Sequence, residues 1–284
     1  MRLRQGRAGW ARAVLALGTV FLLTACGLFG QSEDARPLES FSAQEIYRQG
    51  ELTLASGDSN EAAALFSEVE RLYPYSEWAQ RALVMQAFSY HQDRDYEAAR
   101  GSAQRYLNIY PASDDAPWAQ YILALSYYDQ IDDVGRDQGL TFQALQSLRD
   151  VIETYPDSEY ARSAILKFDL AFDHLAGKEM EIGRFYLKRG HFVAAINRFR
   201  VVVEDFQTTS QTPEALYRLI ESYLSLGLTN EAQTAGAILG HNFQSTEWYQ
   251  DGFVLLTGRG LRPEATGDSW LRRVYRQTVR GEWL

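Results

Sequence analysis

The stretch AFSYHQDRDYEAARGSAQRYLNIYP, residues 87–111, decides the fold of this chain because its pattern returns along most of the sequence. It holds a small residue, a tyrosine, a polar turn, two alanines four residues apart and a Tyr-Pro pair. Four other segments carry variants of the same pattern. Such self-similarity is typical of proteins built from stacked copies of one supersecondary unit.

Each of the five copies predicts two antiparallel helices. Small residues lie where the two backbones approach, and proline ends the second helix because it has no N–H to donate. The aligned positions are Gly50, Gly57, Ala62, Phe66, Val69 and Pro74; Ala87, Tyr90, Ala99, Ala103, Tyr106 and Pro111; Ala124, Tyr127, Ala144, Leu148, Val151 and Pro156; Gly183, Tyr186, Gly190, Ala195, Phe199 and Val202; Ile220, Tyr223, Gly227, Ala232, Gly236 and Leu239. The third copy has extra residues around 132–135. A unit of this kind buries its apolar face only against its neighbours, so the sequence predicts an all-α solenoid.

A second phrase marks the boundaries between copies. It reads YPYSEW at residues 73–78, YPDSEY at 155–160 and FQSTEW at 243–248. In each version a Ser or Thr precedes an acid and an aromatic residue, which predicts a helix N-cap with the acid in the first turn. Copies four and five have Gln207 and Gln244 where the others have proline.

The repeat resembles the tetratricopeptide repeat over roughly residues 41–249. The resemblance implies a tetratricopeptide-repeat superhelical solenoid of about five helix pairs, and we assign residues 41–250 to it. It also implies that the first helix of each repeat lines a concave groove. The groove residues carried over by repeat position are Tyr47, Val84, Phe88, His91, Trp118, Tyr121, Leu125 and Tyr128. Such an aromatic surface suits an extended peptide, although these side chains would alternatively pack against the neighbouring helix.

Two further segments lie outside the repeat pattern. Apolar residues recur at helical spacing over 161–175, which predicts an extra helix before the fourth copy. The tail 251–284 holds six arginines against four acids, and residues 269–279 predict a short amphipathic helix. This helix would dock on the solenoid, touch lipid headgroups or meet a partner, and the alternative is a solvated tail.

The N-terminus reads as a secretory signal. Four arginines precede an apolar run over 13–23, and small residues lead to Cys26, the only cysteine of the chain. The ending LTAC, residues 23–26, resembles a bacterial lipobox, in which the signal is cut before the cysteine and the cysteine is acylated. The alternative is an uncleaved membrane helix over residues 13–29, an apolar stretch whose length is near the lower limit for a bilayer span.

The lipobox resemblance implies a signal over residues 1–25, a covalent lipid on Cys26 and a polar tether over 26–40. Gly27 follows the cysteine. By resemblance to enterobacterial lipoproteins, an aspartate there would hold the protein at the inner membrane, so Gly27 favours the outer membrane.

The composition excludes several classes of function. Without the four leader arginines, 24 basic residues face 37 acidic ones, a formal balance of −13. Nucleic acid is therefore not an expected partner, because phosphate binding needs a basic surface. The sequence has no phosphate-binding loop, zinc spacing or acid–base pair, and the histidines at 91, 174, 191 and 241 are scattered. We expect a binding protein, not an enzyme, with no metal and no cofactor besides the lipid.

The fourth copy carries the most specific family resemblance, in LAGKE at 175–179, GRFYLKRG at 183–190 and AAINRF at 194–199. With the lipobox, the tether and the repeats, it resembles the BamD family, lipoprotein subunits of the outer-membrane β-barrel assembly machinery (the BAM complex). The resemblance implies a scaffold on the periplasmic face that is needed for insertion of β-barrel proteins. It extends to about residue 250, and the arginine-bearing tail has no counterpart that we can assign.

The resemblance also implies two kinds of partner. The C-terminal repeats would bind the periplasmic domains of BamA, the barrel-forming subunit, beside other BAM subunits. The match at 197–198 indicates Arg198 for an ion pair with BamA, with Tyr186 and Arg189 as further candidates; the alternative for Arg198 is an ordinary surface arginine. The N-terminal repeats would receive the aromatic-ended C-terminal signals of unfolded outer-membrane proteins.

Two other functions remain open at this point. The first is a different tetratricopeptide lipoprotein, such as a pilus or secretin assembly factor or a cell-division coordinator. The second is an envelope enzyme, such as a peptidoglycan hydrolase with a helical solenoid, against which the missing catalytic constellation argues.

Overall fold

The structure, a computed structural model, describes residues 37–281 and confirms the all-α prediction for that range. A 3-10 turn over Leu38–Ser40 precedes twelve helices. They are α1 (Ala43–Ala55), α2 (Ser59–Leu72), α3 (Glu77–Gln92), α4 (Tyr96–Ile109), α5 (Ala116–Tyr128), α6 (Gly139–Thr154), α7 (Glu159–Lys188), α8 (Phe192–Asp205), α9 (Thr212–Ser225), α10 (Thr229–Asn242), α11 (Glu247–Thr257) and α12 (Trp270–Arg280). Each helix from α1 to α10 packs against the next, which gives the five predicted pairs.

Side-chain caps start several of these helices. Ser42 and Glu45 form a reciprocal capping box at α1, which satisfies N–H groups that have no partner within the helix. In the boundary phrases, Ser76 accepts from the Ala79 N–H at 3.1 Å and Thr246 from the Tyr249 N–H at 3.4 Å. The predicted N-caps are confirmed there. Ser158 also precedes its helix, but its hydroxyl instead donates to the Tyr155 carbonyl at 2.8 Å.

An aromatic residue, rather than the proline after it, marks the end of every second helix. The five C-cap residues have φ between −124° and −136° and ψ between 35° and 55°: Tyr73, Tyr110, Tyr155, Phe206 and Phe243. Phe206 and Phe243 are followed by glutamine, and α8 and α10 still end at the same repeat position. Proline is therefore not the common cause of helix termination that the sequence indicated.

In the first and fourth repeats the two helices approach so closely that the first helix carries a glycine at the crossing. A Cβ added at Gly50 would lie 2.8 Å from the Phe66 ring, and one added at Gly183 would overlap the Phe199 ring. Both phenylalanines are fully buried. In the fifth repeat the glycine lies on the second helix: a Cβ added at Gly236 would lie 2.5 Å from Leu256 of α11, while Ile220 of the first helix would be at an ordinary contact distance of 3.8 Å. Glycine therefore makes room for a large side chain in the first, fourth and fifth repeats, which keeps the interior filled without overlap.

The predicted extra helix over 161–175 is not a separate element. It continues into the first helix of copy four, and together they form the 30-residue α7. The inserted loop between α5 and α6 packs on this helix: Lys178 Nζ donates to the Gly135 carbonyl at 2.8 Å, and His174 lies 3.1 Å from Gln138. The extra residues of copy three therefore hold the middle of α7 in place.

The C-terminal segment docks on the solenoid, as one of the sequence alternatives predicted. Helix α11 crosses residue 250, where we had placed the end of the repeat domain. Helix α12 packs against α10 through its buried Leu271 and Val274, and Trp270 Nε1 donates to the Tyr223 hydroxyl at 3.0 Å. Within residues 37–281, none of the helices has the length and hydropathy that a bilayer span requires.

We expect Gly183→Ala to lower the free energy of unfolding by about 1–3 kcal/mol, because the new methyl group would overlap the Phe199 ring. The matched control is Gly101→Ala in α4, where an added Cβ meets no atom within 4 Å. That variant should gain about 0.5–1 kcal/mol. Urea unfolding followed by circular dichroism measures both, and equal effects would contradict the close-approach explanation.

Candidate functional site

The first helices of successive repeats form one continuous surface. Helix α1 contacts α3, α3 contacts α5, and α5 contacts α7, in addition to the contacts within each repeat. We call the solvent-facing side of α1, α3, α5 and the N-terminal half of α7 the inner face. In a curved solenoid the elements on the inside of the curve lie nearest to one another.

Aromatic pairs cross from α1 to α3, from α3 to α5 and from α5 to α7. The ring centroids are 5.1 Å apart for Tyr47 and Trp78, 5.5 Å for Phe88 and Trp118, and 5.4 Å for Tyr121 and Tyr160. Tyr217 and Trp248 repeat the contact at 5.5 Å between α9 and α11. These tilted pairs, here called the aromatic ladder, join neighbouring repeats with geometries that ring quadrupoles favour.

Two of the eight predicted groove residues lie in the core. Val84 is 2% exposed, and Tyr47 is 9% exposed between Phe66 and Trp78. Residues Leu38 and Phe41 pack on the same cluster as Tyr47. Desolvation by burial is the main reason that the pKa of Tyr47 is raised from 10.0 to about 12. These two side chains are therefore buried beneath the inner face.

The other six predicted groove residues are half-buried, so each leaves part of its side chain on the surface. Phe88, Trp118 and Tyr121 belong to the aromatic ladder, and Leu125 lies one turn along α5 from Tyr121. His91 Nε2 lies 2.9 Å from Asp129 Oδ2 and Lys167 Nζ lies 5.0 Å from the Tyr128 ring centroid. The inner face of copies two and three is thus a mostly apolar surface with exposed aromatic edges.

Half of the residues of the aromatic ladder were not predicted as groove residues from the sequence. Trp78 and Tyr160 belong to the boundary phrase, where we read only a capping signal. Their position, the second residue of each first helix, places them against the aromatic side chain of the preceding first helix. The recurring aromatic residue after the acid was the available signal. The strip Ile165, Leu166 and Leu170 on α7, between 45% and 62% exposed, was also missed.

The predicted partner-binding residues lie in the fourth repeat. Tyr186 and Arg189 end α7, and the Arg189 guanidinium lies over the Phe185 ring at 3.7 Å from its centroid. Arg198, on α8, forms an ion pair of 3.0 Å with Glu179 on α7 and keeps 43% of its side chain exposed. Arg189 and Arg198 are thus held by different contacts at two points of the same helix pair.

An exposed apolar group borders these residues. Phe185, Val193 and Leu226 are between 41% and 63% exposed. A shallow hollow at the turn joins Val193 and Leu226 to Asn197, the neighbour of Arg198. We call the side chains of Phe185, Val193 and Leu226 the turn patch. Apolar area beside a fixed arginine is the composition typical of protein–protein contact sites.

Charge differs between the first helices of the third and fifth repeats, α5 and α9. Helix α5 carries no charged residue between Ala116 and Tyr128. On α9, by contrast, Glu214 pairs with both Arg184 at 2.8 Å and Arg218 at 3.1 Å, and Arg218 pairs with Glu221 at 2.7 Å. In the described part of the chain, no group of three or more metal-ligating side chains comes together. Cys26 lies outside the described residues.

Known proteins resemble this chain in sequence and, more weakly, in structure. Residues 39–238 match the model of the YfiO family, described as outer membrane lipoprotein. The chain is 45% identical over 269 residues to the outer membrane protein assembly factor BamD of Caulobacter vibrioides, covering 93% of this chain and 85% of that protein. The same factor of Rickettsia prowazekii is 43% identical over 74% of this chain and 84% of its own length. A tetratricopeptide-repeat protein structure from Thermus thermophilus aligns over 76% of this chain and all of its own, with 21% identity and a TM-score of 0.36.

We expect Tyr47→Phe to reduce the alkaline loss of stability. Because unfolded tyrosine ionises near pH 10 and folded Tyr47 near 12, the unfolded state alone releases the proton in this window. Stability then falls as pH rises, by about 1.4 kcal/mol per pH unit at most. Urea unfolding at several pH values above 10 should give a shallower slope for the variant. Tyr75→Phe, at a fully exposed tyrosine, is the control and should leave the slope unchanged.

Proposed function

Because the chain belongs to the YfiO (BamD) family of outer-membrane lipoproteins, we propose that it is a non-catalytic scaffold of the BAM complex. It associates with the outer membrane as a member of that family, and it would hold two ligands there. Its inner face would receive the C-terminal signals of unfolded barrel proteins, and its fourth repeat would bind the periplasmic domains of BamA. Family membership favours this function over pilus, secretin or cell-division assembly.

The aromatic ladder is the observation that carries the substrate part of the proposal. Phe88, Trp118 and Tyr121 present half-buried rings along one face whose middle helix, α5, has no charge. An aromatic side chain of a ligand would pack edge-on against such rings and bury a large area at low cost in conformational entropy. An extended segment that ends in an aromatic residue therefore suits this face better than a charged segment would.

The fixed arginine and the turn patch support the BamA part of the proposal. Glu179 holds the guanidinium of Arg198 in one place while leaving nearly half of that side chain accessible. A carboxylate of BamA would share this guanidinium, and the turn patch would supply the apolar contact area beside it. A preformed arginine loses less side-chain entropy on binding than a free one.

The lipid anchor supplies the third element of the proposal. With a lipid on Cys26, ten residues lie between the anchor and Pro37, where the described structure begins, so eleven residue-to-residue steps join the two. An extended segment of that length reaches at most about 36–40 Å. The repeats would therefore stay on the periplasmic face, within reach of the membrane surface but free to orient toward BamA.

Affinity purification of the tagged, lipidated protein from solubilised outer membranes, with partners identified by mass spectrometry, tests the scaffold assignment. Recovery of BamA and other BAM subunits would support it. Recovery of a secretin or a peptidoglycan-cleaving enzyme without BamA would contradict it.

Trp118→Ala should weaken binding of an aromatic-ended peptide by about 1–3 kcal/mol, because it removes the larger ring of the Phe88–Trp118 pair. Fluorescence anisotropy with a labelled peptide measures the affinity, and circular dichroism checks the fold. Phe142→Ala on the second helix α6 is the matched control, since it removes an aromatic side chain that is 61% exposed away from the inner face. An unchanged affinity in folded Trp118→Ala would argue against the inner face as the peptide site.

Arg198→Glu should reduce binding of the BamA periplasmic domains at least tenfold, since it places a negative charge beside Glu179 and removes the shared guanidinium. Surface plasmon resonance with the purified domains measures the change. Arg105→Glu is the control. Arg105, in the second repeat, makes a comparable ion pair of 2.7 Å with Glu70 of the first repeat and is 47% exposed. Equal losses in both variants would indicate a general charge effect and would remove the specific role of Arg198.

A further inference from the structure

A small hollow lies where the inner face meets the middle of α7. It is bounded by the end of α5, the loop after it and α7, and its volume is about 200 Å³. Tyr128, Ile131, Leu170 and Ala171 supply its apolar wall. Small-molecule sites usually measure about 300–1,000 Å³, so the hollow suits one large side chain rather than a whole ligand.

The polar groups at the hollow already have partners. Asp132 pairs with Arg136 at 2.8 Å, and His174 Nδ1 lies 3.1 Å from Gln138 Oε1. Neither group needs a further ligand to satisfy it. Leu170, by contrast, keeps 62% of its side chain exposed at the rim. The hollow therefore offers uncovered apolar surface, and burial of an apolar group there would be favourable.

Lys167 lies beside the hollow, one turn before Ala171 on α7. Its Nζ lies 5.0 Å from the centroid of the Tyr128 ring, which forms the wall of the hollow. Among the described residues Lys167 has no carboxylate partner. The ring attracts the ammonium only weakly at a half-exposed site. The Lys167 ammonium, without a carboxylate partner in this acidic chain, is therefore available to an anionic ligand.

We propose that Lys167 and this hollow form a subsite for the free carboxyl end of a bound peptide, whose terminal aromatic side chain enters the hollow. The inference rests on the proposed peptide-binding function of the inner face and adds to it where the peptide ends. The terminal carboxylate accepts a charge-assisted hydrogen bond from the Lys167 ammonium. The aromatic ring packs against Tyr128, Ile131 and Leu170, while the preceding residues run along α5 toward Trp118.

Three labelled peptides test this subsite by fluorescence anisotropy at low salt. The first ends in phenylalanine with a free carboxylate, the second is its C-terminal amide, and the third ends in alanine with a free carboxylate. The wild type should bind the first about 5–10-fold more tightly than the second. Lys167→Gln should remove this preference for the acid over the amide, and Lys167→Arg should retain it.

Two further variants separate the charge from the hollow. Arg162→Gln makes the same change of charge at an exposed position on α7 and should leave the acid preference unchanged. Leu170→Ser should reduce the preference for terminal phenylalanine over alanine while the acid preference survives. Circular dichroism confirms that each variant is folded.

The outcomes distinguish the subsite from the function on which it rests. Equal binding of acid and amide by the wild type, or an acid preference that survives Lys167→Gln, would overturn the subsite and leave peptide binding in place. Absence of binding for all three peptides would overturn both.

Discussion

The close approach of the two helices within each repeat is the constraint on which the rest of the structure depends. Phe66 and Phe199 are accommodated only because the facing helices carry Gly50 and Gly183 at the crossing. In the fifth repeat the glycine is on the second helix instead, and Gly236 makes room for Leu256 of α11. Because a close-packed interior tolerates neither overlap nor voids, these glycines fix how closely the helices lie in the first and fourth repeats.

That spacing also determines where the aromatic ladder lies. Once a helix pair has a fixed separation, the next first helix starts at a fixed place, and the aromatic residue in the first turn of α3, α5 and α7 meets a ring of the preceding first helix. The centroid distances of the four aromatic pairs fall between 5.1 and 5.5 Å although their sequences differ. The same rings join the repeats and form the apolar inner face, so the packing between repeats and the candidate binding surface share residues.

The sequence predicted the repeats, the number of helix pairs and two of the capping residues, Ser76 and Thr246, because each depends on neighbours within about forty positions. Burial of individual groove residues depends on contacts from outside the repeat, which a repeat pattern does not contain. Tyr47 is covered because Leu38 and Phe41 add to its cluster, whereas Tyr121, at the same repeat position of the third copy, stays half-buried. The fusion of two predicted helices into α7 and the pairing of Arg198 with Glu179 likewise depend on tertiary packing.

Helix α7 links the two candidate surfaces mechanically. At 1.5 Å per residue its 30 residues span about 45 Å, with Lys167 on the N-terminal half and Tyr186 and Arg189 at the other end. The inserted loop after α5 holds its middle through Lys178 and His174. This helix has no break over its length, and it is fixed in the middle and packed against its neighbours. Ligands at the two candidate surfaces would therefore be held at a nearly constant separation, which is the property that the proposed scaffold requires.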